Sequence, residues 1–137
     1  MSSQSWPSCA ASYLCKDCGL IPIWPCFASM IYSGVKKFEY RKRDPRKNVK
    51  TFFIYETYPT SAITGVMIVN SVLSGDPEMI WEKTFCSSGV NRHGFISYYA
   101  GKKIAYALKI ETTEVFSSPI FLYEIGLSVP QTIRYLS

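Results

Sequence analysis

Much of the usual equipment of an enzyme is missing from this chain. It has no glycine-rich phosphate loop and no serine-centred elbow, and its one histidine is His93. His93 stands seven residues after Cys86 in the turn SSGVNRHG, and such a pair can in principle act as nucleophile and base, but no third residue is at hand to orient it. Glu82, Glu111, Glu114 and Glu124 fall on separate segments and give no paired-carboxylate pattern. The expectation is therefore a chain that is not an enzyme and needs no cofactor. The start, MSSQSWPSCAASY, lacks a basic region leading into an apolar one, and no N-x-S/T acceptor occurs anywhere. With five cysteines, an odd count, this points to a reducing compartment rather than a disulfide scaffold. The uncharged stretches 18–35 and 57–75 are of marginal length for a membrane span and carry prolines and polar residues.

What remains is unevenly spread. Residues 1–50 hold nine basic and three acidic side chains, whereas residues 51–137 hold six and seven. Eight of the fifteen residues in KKFEYRKRDPRKNVK, positions 36–50, are Lys or Arg. That density exceeds what solubility asks for and fits an anionic partner. Arginine can hold a phosphate with two parallel donors, and aromatic rings can stack on unpaired bases. Lys36, Lys37, Arg41, Lys42, Arg43, Arg46 and Lys47 are the candidates for contact with single-stranded nucleic acid or with import machinery. Phe38 and Tyr40 are the candidate stacking residues. The segment RKRDPRK also reads as a nuclear localisation signal. A membrane surface is the rival partner, because apolar residues and cysteines precede the basic run. Cys9, Cys15, Cys18 and Cys26 have the number of thiols for one zinc ion, in a C-x5-C-x2-C-x7-C pattern with a single C-x2-C knuckle. Free or acylated cysteines are the preferred reading.

From Asn48 onward, short runs rich in Ile, Val, Tyr, Phe and Thr alternate with turn residues. VKTFFIYET, AITGVMIVNSVL, EMIWEKTFC, GFISYY, KKIAYALKIE, PIFLYEI and SVPQTIRYL read as strands. The connections look too short for a crossover helix, so the expected fold is all-β: an antiparallel β-sandwich or jelly roll over residues 48–137. Residues 1–47 form a partly ordered, cysteine-containing basic arm in this reading, with two or three helical turns after Pro25, weakened by Gly34. The expected inner face comprises Phe53, Tyr55, Val66, Ile68, Trp81, Phe85, Ile104, Tyr106, Leu108 and Ile125.

A cysteine-containing N-terminal region, a basic run ending in Arg46-Lys47, then GVMIV, Pro77-Glu-Met79 and Gly89-x3-His93-x-Phe95-x2-Tyr98-Tyr99-x-Gly101-Lys102 resemble the nuclear shuttle proteins of nanoviruses, plant viruses with multipartite circular single-stranded DNA. The resemblance spans residues 46–115. It implies a viral protein of the host nucleus and cytoplasm that carries nucleic acid and docks a coat or partner protein. The alternative is a self-assembling, matrix-like protein on the cytoplasmic face of membranes, with homo-oligomerisation open in either case.

Overall fold

The computed structural model describes residues 6–136. Its centre is a curled, mixed sheet of six strands in the order β2-β5-β4-β3-β1-β6. The strands are β1 (Cys18–Ile23), β2 (Phe38–Arg41), β3 (Thr51–Glu56), β4 (Ala62–Gly75), β5 (Ala105–Ile120) and β6 (Arg134–Tyr135). Four helices accompany them: α1 (Ser8–Ala11), α2 (Pro25–Ser33), α3 (Pro77–Thr84) and α4 (Arg92–Tyr98). The mostly-β expectation holds, but the two-sheet sandwich gives way to one sheet.

The run Phe52-Phe53-Ile54-Tyr55 explains why that sheet is covered on both sides. Neighbouring strand residues point to opposite faces, so a run without polar alternation needs apolar cover twice. Phe53 and Tyr55 pack with Leu20, Val66, Ile120 and Ile125, while Phe52 and Ile54 pack with Ile21, Met67, Leu108 and Ile31 of α2. A third cluster joins Tyr40, Ile80, Trp81, Phe95, Tyr99, Ala105 and Ala107 where α3 and α4 meet β2 and β5. Six of the ten expected inner-face residues are fully buried; Ile68 and Tyr106 are half-buried, and Phe85 and Ile104 are exposed.

The expected boundary at residue 47 falls inside this sheet. β1 pairs in parallel with β3, from Cys18 opposite Thr51 to Ile23 opposite Glu56, and β2 pairs with β5. Antiparallel pairing alone is therefore a second correction. The parallel connection runs through α2 and β2, which supply the long crossover that such a pair requires. The helix after Pro25 forms where expected: Pro25 begins it, and Gly34, at φ +87°, ends it. Residues 1–5, also assigned to the arm, lie outside the described residues.

Two of the seven expected strands are α-helices, and a third, PIFLYEI, leaves β5 at Ile120 and turns into a 3-10 helix over Leu122–Ile125. EMIWEKTFC and GFISYY give α3 and α4, because each starts on a capping residue that overrides β propensity. The Asp76 carboxylate accepts from the Glu78 and Met79 N–H groups at 3.1 and 3.4 Å, with Pro77 at the first helical position. The Asn91 side chain accepts from Gly94 N–H at 2.7 Å. Once helical, Ile80, Trp81 and Thr84 share the buried face of α3. No helix among the described residues is long and apolar enough to cross a membrane.

Candidate functional site

Where α2 ends and β2 begins, the chain turns charged residues inward. Gly34 lets it leave the helix, and Lys36 N–H then bonds the Met30 carbonyl at 3.0 Å. This turn points the Lys36 side chain under the sheet edge, where the residue is only 2% exposed. Lys36 Nζ donates to the Ser88 carbonyl at 2.6 Å and lies 4.8 Å from the centroid of the Tyr40 ring and 5.2 Å from that of Phe27. Its stem runs against Gly89, where an added Cβ would come within 2.9 Å of three Lys36 carbons. Gly89 also has φ +70°, so its position combines a close approach with a backbone form that side chains disfavour. Burial pushes the Lys36 ammonium below the ordinary lysine value; Glu39 works against that shift and Arg41 adds to it.

β2 then presents its side chains alternately. Phe38 and Tyr40 join the aromatic cluster against Phe95 and Tyr99, while Glu39 and Arg41, two residues apart, share the other face. Arg41 Nη2 pairs with Glu39 Oε2 at 3.1 Å and also donates to the Pro22 carbonyl. That carbonyl is on hand because β6 pairs with β1 only at Gly19 and Leu20, leaving Pro22 on a free edge. Arg41 Nε is buried and has no hydrogen-bond partner, the one such side-chain nitrogen or oxygen among the described residues. An unpartnered buried donor costs free energy, so the fold holds this guanidinium in place against that cost.

The aromatic cluster behind these charges is held by hydrogen bonds. Thr84 Oγ1 donates to the Ile80 carbonyl at 2.7 Å, which leaves its oxygen to accept the Tyr40 hydroxyl proton at 2.6 Å. The Tyr99 hydroxyl donates to the Arg41 carbonyl at 2.8 Å, so α4 fixes the backbone that carries the arginine. Burial raises the Tyr40, Tyr98 and Tyr99 hydroxyls above the ordinary tyrosine value, Tyr99 well above it, and they remain neutral donors.

Lys36, Glu39 and Arg41 border a cleft of about 540 Å³, walled by Pro22, Trp24, Phe27, Val90, Phe95, Ser97 and Tyr98. Trp24 is 64% exposed at its rim, and its ring lies parallel to that of Phe27, 3° between planes. Few charged groups in a largely apolar cleft is the usual make-up of a ligand site. A carboxylate, an amine that gives up its proton more readily than usual and a guanidinium with a free donor can move a proton and hold an anion.

The basic run thus divides. Lys36 and Arg41 enter the cleft, while Lys37, Lys42, Arg43, Arg46 and Lys47 are exposed. Lys42 Nζ lies 4.6 Å over the Tyr98 ring and Arg46 lies 4.1 Å over that of Tyr135. The candidate stacking residues are otherwise engaged: Tyr40 is buried and Phe38 half-buried in the aromatic cluster, whereas Trp24 offers an open ring. Glu39 and Trp24 were missed from sequence. The signal was Phe38-Glu39-Tyr40-Arg41, an aromatic–charged alternation of a strand with one inner and one functional face. Among the described residues no group of three or more His, Cys, Asp or Glu is placed to hold a metal; Cys9, Cys15, Cys18 and Cys26 are free thiols, with Cys18 buried and Cys15 and Cys26 exposed.

No family model matches the chain. It is 28% identical over 123 residues to an ASCH domain-containing ribonuclease of Zymomonas mobilis, covering 85% of this chain and 82% of that protein. It is 27% identical over 119 residues to the large ribosomal subunit protein uL22 of Ureaplasma parvum, of whose length it spans 38%. The crystal structure of ASCH from Zymomonas mobilis superposes with a TM-score of 0.80 at 25% identity, over 88% of this chain and 87% of that one. A tyrosine-to-phenylalanine variant of the same protein matches with the same TM-score at 24% identity, over 88% and 90%. These likenesses overturn the resemblance to nanovirus shuttle proteins, which rested on short apolar and turn motifs within residues 46–115. The viral, nuclear-transport and matrix-like readings fall with it, and these likenesses give no support to the import, coat-protein or membrane partners. The non-enzymatic expectation is also corrected, since the relative that aligns along most of both proteins' lengths is named a ribonuclease. Along 88% of its length the protein has the fold of the Zymomonas mobilis ASCH structure.

Proposed function

We propose that this protein is an ASCH-type ribonuclease acting on single-stranded RNA, with its reaction centre at Lys36, Glu39 and Arg41. The observation that carries the reading is that a carboxylate, Glu39, an amine, Lys36, and a guanidinium, Arg41, border one largely apolar cleft. The ribonuclease relative supports RNA as the substrate class.

In this reading the Arg41 guanidinium, partly open to the cleft, anchors the scissile phosphate, while its pairing with Glu39 and Pro22 holds its plane. The Glu39 carboxylate accepts the proton of the ribose 2′-hydroxyl as that oxygen bonds to phosphorus. The bond from phosphorus to the 5′ oxygen breaks, and Lys36 gives this leaving oxygen a proton. The products are a 2′,3′-cyclic phosphate and a 5′-hydroxyl. Burial suits Lys36 to the task, because an ammonium with a lowered pKa is the stronger acid. Guanidinium and ammonium both oppose the charge that builds on the phosphorane oxygens. The exposed Trp24 ring, parallel to Phe27, offers a base a stacking surface at the rim.

The test is cleavage of an end-labelled single-stranded oligoribonucleotide by the wild-type protein and by Lys36→Met, Glu39→Gln and Arg41→Met. Wild type should produce cyclic-phosphate ends, and each variant should be slower by about 10²-fold or more, the usual worth of a general acid or base. Absence of cleavage by wild type, or equal cleavage by all four proteins, would sink the proposal.

A further inference from the structure

Beside the cleft lies a second concavity that this reaction does not use. It has a volume of about 400 Å³, within the range of small-ligand pockets, and is lined by Lys42, Arg43, Gln131, Thr132 and Tyr135 among others. Arg41 and Tyr98 border both spaces, so the two are continuous across one arginine and one ring. Three cations line it against the single acid Asp44.

Two of the cations around it are held rather than loose. Lys42 rests on the Tyr98 ring and Arg46 on the Tyr135 ring. Tyr135 is itself fixed, its hydroxyl accepting from Arg46 N–H at 3.0 Å. The chain after β5 places Tyr135 opposite Gly19 of β1, which fixes the last strand beside the loop that carries Lys42 and Arg43. Positive charge held over aromatic faces, next to polar amide and hydroxyl groups, is the make-up of a site that tracks a nucleic-acid backbone.

We infer that this groove is a flanking subsite that binds the phosphate and sugar next to the scissile bond of single-stranded RNA through Lys42 and Arg43. The inference rests on the ribonuclease reading and extends it: the substrate is a strand rather than a dinucleotide, and it passes across Arg41 and Tyr98 from one space into the other. Binding there depends on charge more than on base identity, so sequence preference at this position is weak.

The experiment compares a dinucleotide with an eight-nucleotide single-stranded RNA, using wild type and a Lys42→Ala/Arg43→Ala double variant. The double variant should raise KM for the octamer about ten-fold more than for the dinucleotide. A parallel measurement uses the Lys36→Met background, where strand binding is read by fluorescence anisotropy without turnover. There the added double substitution should weaken octamer binding and lower the slope of log K against log salt by about 0.7, the worth of one phosphate on a single strand. Equal KM effects on both substrates, or an unchanged salt slope, would overturn the subsite. If wild type cleaves neither substrate, the ribonuclease reading fails while the anisotropy arm still reports on the groove. An unfolded double variant is recognised by circular dichroism, and a Lys42→Gln/Arg43→Gln pair, which keeps the carbon stem out to Cδ and a polar end without the charge, then gives the same readings.

Discussion

Two halves of one charged segment behave as different materials. In residues 36–41, Lys36 and Glu39 are buried, Arg41 is mostly covered, and each has a hydrogen-bond or ion-pair partner. In residues 42–47, Lys42, Arg43, Arg46 and Lys47 stand in solvent, and Pro45 is the buried residue. Charge is nearly the same in the two halves, three cations and one acid in the first against four and one in the second, though only the first holds aromatics. The difference lies in the backbone: the first half is committed to a helix exit and a strand, which choose a direction for every side chain, and the second half is mostly loop. A charge becomes chemically special where the fold takes it out of water, and it contributes general attraction where the fold leaves it wet.

Chemistry should break along the same line. Glu39→Gln or Lys36→Met should lower single-stranded RNA cleavage by about 10² to 10⁴-fold in kcat. Lys42→Ala and Arg43→Ala should act mainly through KM and lose their effect at high salt, where exposed charges are screened. Equal kcat losses from the two halves, measured under saturating substrate, would erase the distinction.

Stability offers the next contrast. Leu108 is fully buried opposite Glu39 in the β2–β5 pairing, and Leu108→Ala should cost ~2 to 5 kcal/mol in urea unfolding. Its exposed neighbour Lys109 should tolerate alanine within about 0.5 kcal/mol. A smaller effect is expected at the Lys36 stem. Gly89→Ala puts a Cβ against three Lys36 carbons on a backbone of positive φ, and it should cost about 1 to 2 kcal/mol. It should also lower kcat, which separates displacement of Lys36 from simple destabilisation.

The smallest effect is a dependence on pH. Because Lys36 has a lower pKa folded than unfolded, the unfolded chain binds more of this proton between the folded value and the unfolded value near 10.5. The cost of burying the charged form is fully present below the folded pKa and fades as pH rises through it. Wild-type stability should therefore climb relative to Lys36→Met as pH increases toward 10.5. Urea titrations of both proteins from pH 7 to 10 that give a constant difference would contradict this. Cleavage should fall over the same interval, as Lys36 loses the proton it donates.

Much of the sheet was legible in the chain. The apolar runs of β3 and β4 and the alternation in β5 appear at their positions, and the helix between Pro25 and Gly34 forms between the two residues that punctuate it. The concentration of positive charge in residues 36–50 also stood out, and the cleft uses two of its members. Local rules reach this far because a hydrophobic period and a turn residue act within a few positions of themselves.

Other features needed the tertiary structure. The period of EMIWEKTFC suits a strand, yet the Asp76 and Asn91 caps and the space beside the aromatic cluster make helices of that segment and of GFISYY. The parallel pairing of β1 with β3 joins residues more than thirty positions apart, so no short window reveals that Cys18–Ile23 belongs to the sheet. The Lys36 amine meets the Ser88 carbonyl and its stem meets Gly89 across some fifty residues, and Arg41 meets Pro22 across nineteen. The sequence by itself determined which segments carry charge and which seek burial. Only the folded chain decided which charges lose their water, because desolvation depends on what every other segment brings to the same place.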